Sequence, residues 1–304
     1  MSRQLAGALV APLLLITACA RSADDDAAVQ VETGAAAVQA LRAAPDVAAE
    51  AGTAAFEMVI SGSDAGDDAL ELVATGVFDS GAQRMAMKMD FGAMLGGLAE
   101  ASGEDLPPGM DEPVRFVADG TTVYLRIPML DALTGTSGWL SATPEDLGGA
   151  TAAFGLGASA YDPSTLLEVL RGATDEVRSA GQEEVRGVLT TRYAVTVRPA
   201  EALEQAPAQQ REHLQRQLDQ LGAADSEIPV DVWVDAAGLP RRVTMAFAGL
   251  VPQTGSDEDA SIQISIELFD YGEPVTIEVP SADEVTPYAD AFGALATAFS
   301  EAGA

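Results

Sequence analysis

The sequence predicts an α+β domain built on a curved antiparallel sheet, and three observations predict it. Apolar and polar residues alternate with period two again and again from Thr53 to Leu268, the mark of strands that bury one face and wet the other. Segments with apolar residues at helical spacing interrupt those strands in a few places. No shift in composition and no Pro/Gly/Ser-rich linker divides the chain, so strands and helices share one core, with helices packed against or inside the sheet.

The elements follow in order. A first helix is expected from about Gly34 to Glu50 on Val38, Leu41 and Val47, with Pro45 arguing for a break near its end. Phe56, Met58 and Ile60 then alternate with Glu57, and Met85, Met87 and Met89 with Lys88 and Asp90. Phe116 and Ala118 lead across a turn at Asp119-Gly120 into Val123, Leu125 and Ile127. Tyr193, Val195 and Val197 alternate with Arg192, Thr196 and Arg198, and Ile262, Ile264, Ile266 and Leu268 with Gln263, Ser265 and Glu267. Between these, Val230 to Asp235 turns through Ala236-Ala237-Gly238-Leu239-Pro240 and returns through Val243, Met245 and Phe247, a long hairpin. Helices are expected at Pro163 to Gly172, at Pro207 to Leu221 and at Thr286 to Ser300. In the last, Thr286-Pro287 supplies a cap and first turn, and Tyr288, Phe292, Leu295 and Phe299 line up on one side.

The N-terminus reads as an export signal. Arg3 precedes an apolar run from Leu5 to Ile16, too short to span a bilayer and interrupted by Pro12, and Thr17-Ala18-Cys19 follows. Ile16-Thr17-Ala18-Cys19 matches the bacterial lipobox: an aliphatic residue, two small ones, and a thiol to carry diacylglycerol. The alternative is an ordinary secretory signal that contains a cysteine. The expected division is a lipoprotein signal peptide over 1–18, a flexible tether over 19–32 and a single domain over 33–304, with Cys19 lipidated and the protein extracytoplasmic, anchored to the cell membrane. The tether reaches at most about 45–50 Å.

Composition excludes several classes. Cys19 is the only cysteine, so neither a disulfide framework nor a cysteine nucleophile is expected. A formal charge of −31, from 47 acidic and 16 basic residues, repels nucleic acid and anionic headgroups. The only histidine, His213, sits on a polar helical segment, and no phosphate loop, dinucleotide fingerprint or metal-ligand cluster is present, so neither an enzyme nor a cofactor is expected. The clusters Asp64/Asp67/Asp68 and Asp257/Glu258/Asp259 lack the ordered spacing of a calcium loop and read as solvated turns, so no metal site is assigned.

Four segments resemble the LolA-like lipoproteins of actinobacterial envelopes, related to the LppX/LprG type. They are Pro163 to Arg171 as the helix before the central strands, Gly187 to Val197 as the glycine-led strand, Val230 to Val243 as the tryptophan-bearing hairpin, and Phe269 to Pro280 as the closing strand. The resemblance spans roughly residues 33–285 and leaves the helix at 286–300 as an addition: a lid, a plug or plain packing. It implies a half-open β-barrel wrapped around helices, with a cavity for acyl chains, and hence a monomeric carrier of a lipid or other apolar molecule.

The residues proposed to line such a cavity are Met85, Met87, Met89, Phe91, Met94, Leu95 and Leu98, with Met129, Leu130 and Leu133, because methionine adapts to ligands of irregular shape. The competing reading makes them plain core. Residues 148–159, with Phe154 and Leu156 among small residues, read either as a cavity rim or as a loop. Trp233, on a strand among valines, is expected to pack and not to stack on a ligand. The rival to a carrier is a lipoprotein that binds another envelope protein on the same scaffold, with its core filled.

Overall fold

The computed structural model describes residues 35–63, 70–92, 96, 109, 112–134, 138–143, 177–200, 203, 211, 215, 226–248 and 261–291. The leader with Cys19, the tether, the helix expected at 163–172, nearly all of that at 207–221, residues 148–159, both acidic clusters and His213 lie outside them. Residues 211 and 215, within the second of those helices, are helical.

Twelve strands form one sheet: β1 (Thr53–Ser63), β2 (Leu70–Asp79), β3 (Arg84–Asp90), β4 (Val114–Asp119), β5 (Thr122–Arg126), β6 (Trp139–Ala142), β7 (Arg178–Val185), β8 (Val188–Val197), β9 (Ile228–Asp235), β10 (Pro240–Ala248), β11 (Ser261–Phe269) and β12 (Val285–Pro287). Their order is β12-β6-β5-β4-β3-β2-β1-β11-β10-β9-β8-β7. Two meanders, β1 to β6 and β7 to β11, are thus sewn together down the middle by the antiparallel pair β1·β11. The sheet is large, curved and open, since β7 and β12 end it without pairing to each other. Both edges are blunted against pairing with other chains. β7 is polar and bulged between Ser179 and Gln182, and β12 has three residues and contains Pro287.

Sequence periodicity explains why one face carries the core. On β1, Ala54, Phe56, Met58 and Ile60 point inward, and on β11 so do Leu268, Ile266, Ile264 and Ile262, with Phe56 opposite Leu268 and Met58 opposite Ile266. Phe56 also faces Gly76 of β2, where an added Cβ would strike the Phe56 ring and the Ala86 carbonyl oxygen. Glycine there lets an aromatic ring lie across the neighbouring strand.

Helix α1 (Ala35–Ala51) lays Leu41, Ala44 and Ala48 against this face and packs on β9 and β10. It does not break at Pro45, which is buried inside it. Proline deprives the Leu41 carbonyl of its helical partner and weakens an interior turn by roughly 3 kcal/mol, so burial of the flanking apolar stripe outweighs the local preference. A second helix, α2 (Pro128–Thr134), lies between β5 and β6.

The C-terminal region differs from expectation twice. The ladder of β11 stops at Phe269, and residues 273–280, expected as part of a closing strand, stay off the ladder while still alternating half-buried Val275, Ile277 and Val279 with exposed Thr276 and Glu278. Thr286-Pro287 does not open the last helix. With Val285 these residues form β12, parallel to β6, and helical backbone begins at 288. Pairing with an otherwise open sheet edge overrides a capping signal whose proline is equally at home on an edge strand.

The two ends of the strands are unlike. At one, the chain turns tightly at 80–83, 120–121, 186–187 and 236–239. Gly120 (φ 59) starts its turn as a type II′ hairpin requires, and Arg186-Gly187 (φ 48 and 81) fits type I′. At the other end run the longer connections 64–69, 91–113, 127–138, 198–227 and 249–260.

Candidate functional site

At the sheet centre, along β1 and β11, the inner face is buried toward the tight turns and half-buried toward the long connections, whereas β3 and β8 run the other way, from half-buried Met85 and Tyr193 to buried Met89 and Val197. Along β1, exposure runs from 0% at Ala54 through 1% at Phe56 and 3% at Met58 to half-buried Ile60. Along β11 it runs from 1% at Leu268 through 2% at Ile266 and 6% at Ile264 to half-buried Ile262. β2 follows, with Ala74 buried and Leu72 half-buried. Gly62, one inward position beyond Ile60 and paired with Ile262, has open space where its side chain would be, since an added Cβ meets nothing within 4 Å. Ile60, Leu72, Ile262 and Gly62 therefore rim an apolar mouth over the sheet centre.

Of the cavity residues expected from sequence, Met87 and Met89 are buried within the main core, facing Gly76 and Ala74. Met85 and Phe91 are half-buried and pack against that core. Met129 and Leu130 on α2 are half-buried. Met94, Leu95, Leu98 and the side chain of Leu133 lie outside the described residues. The topology nevertheless gathers these segments at one end, because the connection 91–113 and α2 both join their strands beside the mouth. Gly109 (φ 82) ties them, as a Cβ there would come 2.8 Å from the Pro128 carbonyl oxygen at the start of α2. Beside it, Leu125 and Ala142 form a smaller apolar cluster with Val123, Ile127, Leu140 and Tyr288, and Phe116 packs against both clusters.

Ile60 and Ile262 were recognisable in the sequence as strand positions, Leu72 and Gly62 were not, and none was recognisable as a rim. Alternation reveals which face a residue takes, not how far along the strand cover extends.

The tight-turn end is locked by charge. Asp235 Oδ1 accepts the amides of Ala237 and Leu239 at 2.8 and 3.0 Å, and its Oδ2 pairs with Arg241 at 2.7 Å. Arg241 lies over Tyr271, whose hydroxyl donates to the Pro240 carbonyl at 2.6 Å, and burial pushes that hydroxyl's pKa above its ordinary range. On the outer face Trp233 is buried between Arg192 and Arg242, each 5.1 Å from the ring centre, and its Nε1 donates to Glu183 at 2.8 Å. Arg186, at the tip of the β7–β8 hairpin, reaches Glu267 at 2.6 Å and Glu57 at 3.1 Å and covers Phe269. Burial pushes the Glu267 carboxyl up, but hydrogen bonds from Arg242 and Arg186 outweigh it and hold the pKa below the usual glutamate value. Trp233 thus packs, as expected, joining β7, β8 and β10 across β9, while Arg186 ties the hairpin tip to β11 and β1.

Among the described residues, no group of side chains could hold a metal ion, and no helix is long and apolar enough to cross a membrane.

The structure is similar to the crystal structure of lipoprotein LppX from Mycobacterium tuberculosis, at 16% identity and a TM-score of 0.46, covering 80% of this chain and 98% of that one. It is similar to LprF from Mycobacterium bovis at 14% identity and a TM-score of 0.44, covering 82% and 99%. A LolA superfamily protein from Nitrosomonas europaea aligns at 6% identity and a TM-score of 0.25, covering 77% and 91%. No family model and no curated protein matches the sequence. The resemblance to LolA-like and LppX-type proteins read from the sequence thus reappears among solved structures.

Proposed function

We propose that this chain is an extracytoplasmic lipoprotein, held to the cell membrane through a diacylglyceryl group on Cys19, that binds and carries a lipid or other apolar molecule on the inner face of its sheet. The observation that carries the reading is the graded opening of that face, from fully buried Ala54 to half-buried Ile60, Leu72 and Ile262 and the open position at Gly62. Apolar surface left wet costs about 25 cal/mol per Å², so an acyl chain lying on it gains free energy in proportion to the area it covers. The protein works alone, without cofactor or nucleic acid, and performs no catalysis.

The test is to purify the protein, extract it and analyse bound lipid by mass spectrometry. Co-purified lipid, or saturable uptake of an apolar fluorescent probe, is expected; the lack of both sinks the proposal.

A second reading draws on Met87 and Met89, which are buried in the core. In it the inner face is filled, and the scaffold serves to bind another envelope protein. Met87→Glu separates the two: loss of probe uptake by a folded variant favours a pocket, whereas unfolding makes Met87 core.

A further inference from the structure

We infer that the chain is held with its long-connection end toward the bilayer, so that the mouth at the sheet centre faces the membrane that anchors the protein. The inference rests on the carrier reading and on its anchor at Cys19, and it names the surface that the mouth meets. What fixes the orientation is the direction of α1. Its C-terminal end sits among the tight turns: the Ser80 amide, between β2 and β3, donates to the Gly52 carbonyl at 2.7 Å, and Val47 lies beside Gly238 in the β9–β10 turn. From there the helix follows β9 and β10, packing on both, and it stays on the inner face back to its first turns, where Leu41, Val38 and Ala37 are buried in the main core. From Val47 back to Ala35 it rises about 18 Å, the length of five or six strand residues. That brings Ala35 level with Met245 on β10, and Met245 lies in register with Ile264 of β11 and, through it, with Ile60 of β1. The chain therefore enters the domain at the height of the mouth. Cys19 joins it there through the tether expected over 19–32, whose r.m.s. span is about 20 Å. The strands are longer: β2, from Leu70 to Asp79, runs about 30 Å from the mouth end to the tight turns. A domain rocking on such a tether keeps its mouth end nearer the bilayer and its locked turns away from it. The residues left half wet at the mouth, Ile60, Leu72 and Ile262, are apolar surface of the kind that a lipid interface covers.

The full lipidated chain is reconstituted in phosphatidylcholine vesicles that carry a small fraction of an acceptor-labelled lipid. A donor dye is placed at one of two exposed positions, by Glu71→Cys at the mouth end of β2 or by Ala82→Cys in the turn that follows it. Each substitution introduces the only free thiol, because the thiol of Cys19 carries the diacylglyceryl group. Energy transfer to the bilayer should be at least about twofold more efficient from the Glu71 site than from the Ala82 site, since roughly 30 Å of strand separates them. Lipid that co-purifies with the two variants, measured by mass spectrometry before reconstitution, keeps the two readings apart. Equal or reversed transfer from variants that hold lipid overturns the orientation and leaves the carrier reading intact. No transfer from either site overturns the anchor and the orientation with it. No bound lipid in either variant overturns the carrier reading and removes the mouth's role, whatever the dyes report.

Discussion

The two ends of this sheet are built from opposite materials. Where the chain turns tightly, left-handed residues fit short hairpins, carboxylates meet arginines, and the inner face beneath is sealed by Ala54, Phe56 and Leu268. Where it runs through long connections, Arg126 pairs with Asp131 and Arg198 with Glu227, but Glu71, Asp90 and Glu112 stand without arginine partners among the described residues, Gly62 faces open space and the central strands leave isoleucine and leucine half wet. One end holds the fold, and at the other the centre of the inner face is less covered. A sheet of twelve strands can tolerate an open end because β1·β11, joining the two meanders, is anchored at the closed one, where the Gly272 amide donates to the Thr53 carbonyl at 2.9 Å and Thr53 Oγ1 to that of Glu273 at 2.7 Å.

That contrast breaks most visibly on β1. Phe56→Ala removes a ring packed between Leu268 and Gly76 and should lower stability by about 3–5 kcal/mol in denaturant titration, whereas Ile60→Ala, four residues along the same face, should lower it by no more than about 1 kcal/mol. Equal losses would mean that the inner face is uniformly core. Next in size is the turn lock. Asp235→Ala strips two amides of their acceptor and leaves Arg241 partly buried without its carboxylate, a loss of about 3 kcal/mol with Tyr271 fluorescence as a local reporter.

A smaller effect is tied to pH. The folded pKa of Glu267 lies below its unfolded value, so its pairing with Arg242 and Arg186 stabilises the protein above the ordinary glutamate range and is lost as pH falls through the folded pKa. Glu267→Gln should therefore be less stable than the parent by about 1–2 kcal/mol at neutral pH, with the difference closing below about pH 4. Trp233 emission follows the same transition, since Arg242 links the two groups. A constant difference across that range would remove the network from the closed end's account.

Much of this was legible before the structure. Alternation assigned Phe56, Met87, Val195 and Ile266 to buried strand faces, and Gly238 marked its hairpin. β2 was harder to see because Val73 and Val77 put apolar residues on its outer face as well, and β7 because it is almost wholly polar. Pro45 and Thr286-Pro287 misled for a shared reason: a local rule about helix ends yielded to distant partners, the sheet under α1 and the open edge of β6. Met85, Met87 and Met89 alternate onto the inner face, but spacing could not separate core from mouth. That distinction depends on how far cover reaches along a strand, which is a property of tertiary packing.

Gly62 tests the central claim most directly. Its backbone is that of an ordinary strand and its side-chain position is empty, so Gly62→Phe should leave the melting temperature unchanged or slightly raised. If the inner face opens there to an apolar ligand, the ring obstructs the mouth, and saturable uptake of an apolar fluorescent probe, present in the parent protein, should be lost in the folded variant. Undiminished uptake by folded Gly62→Phe would contradict the account.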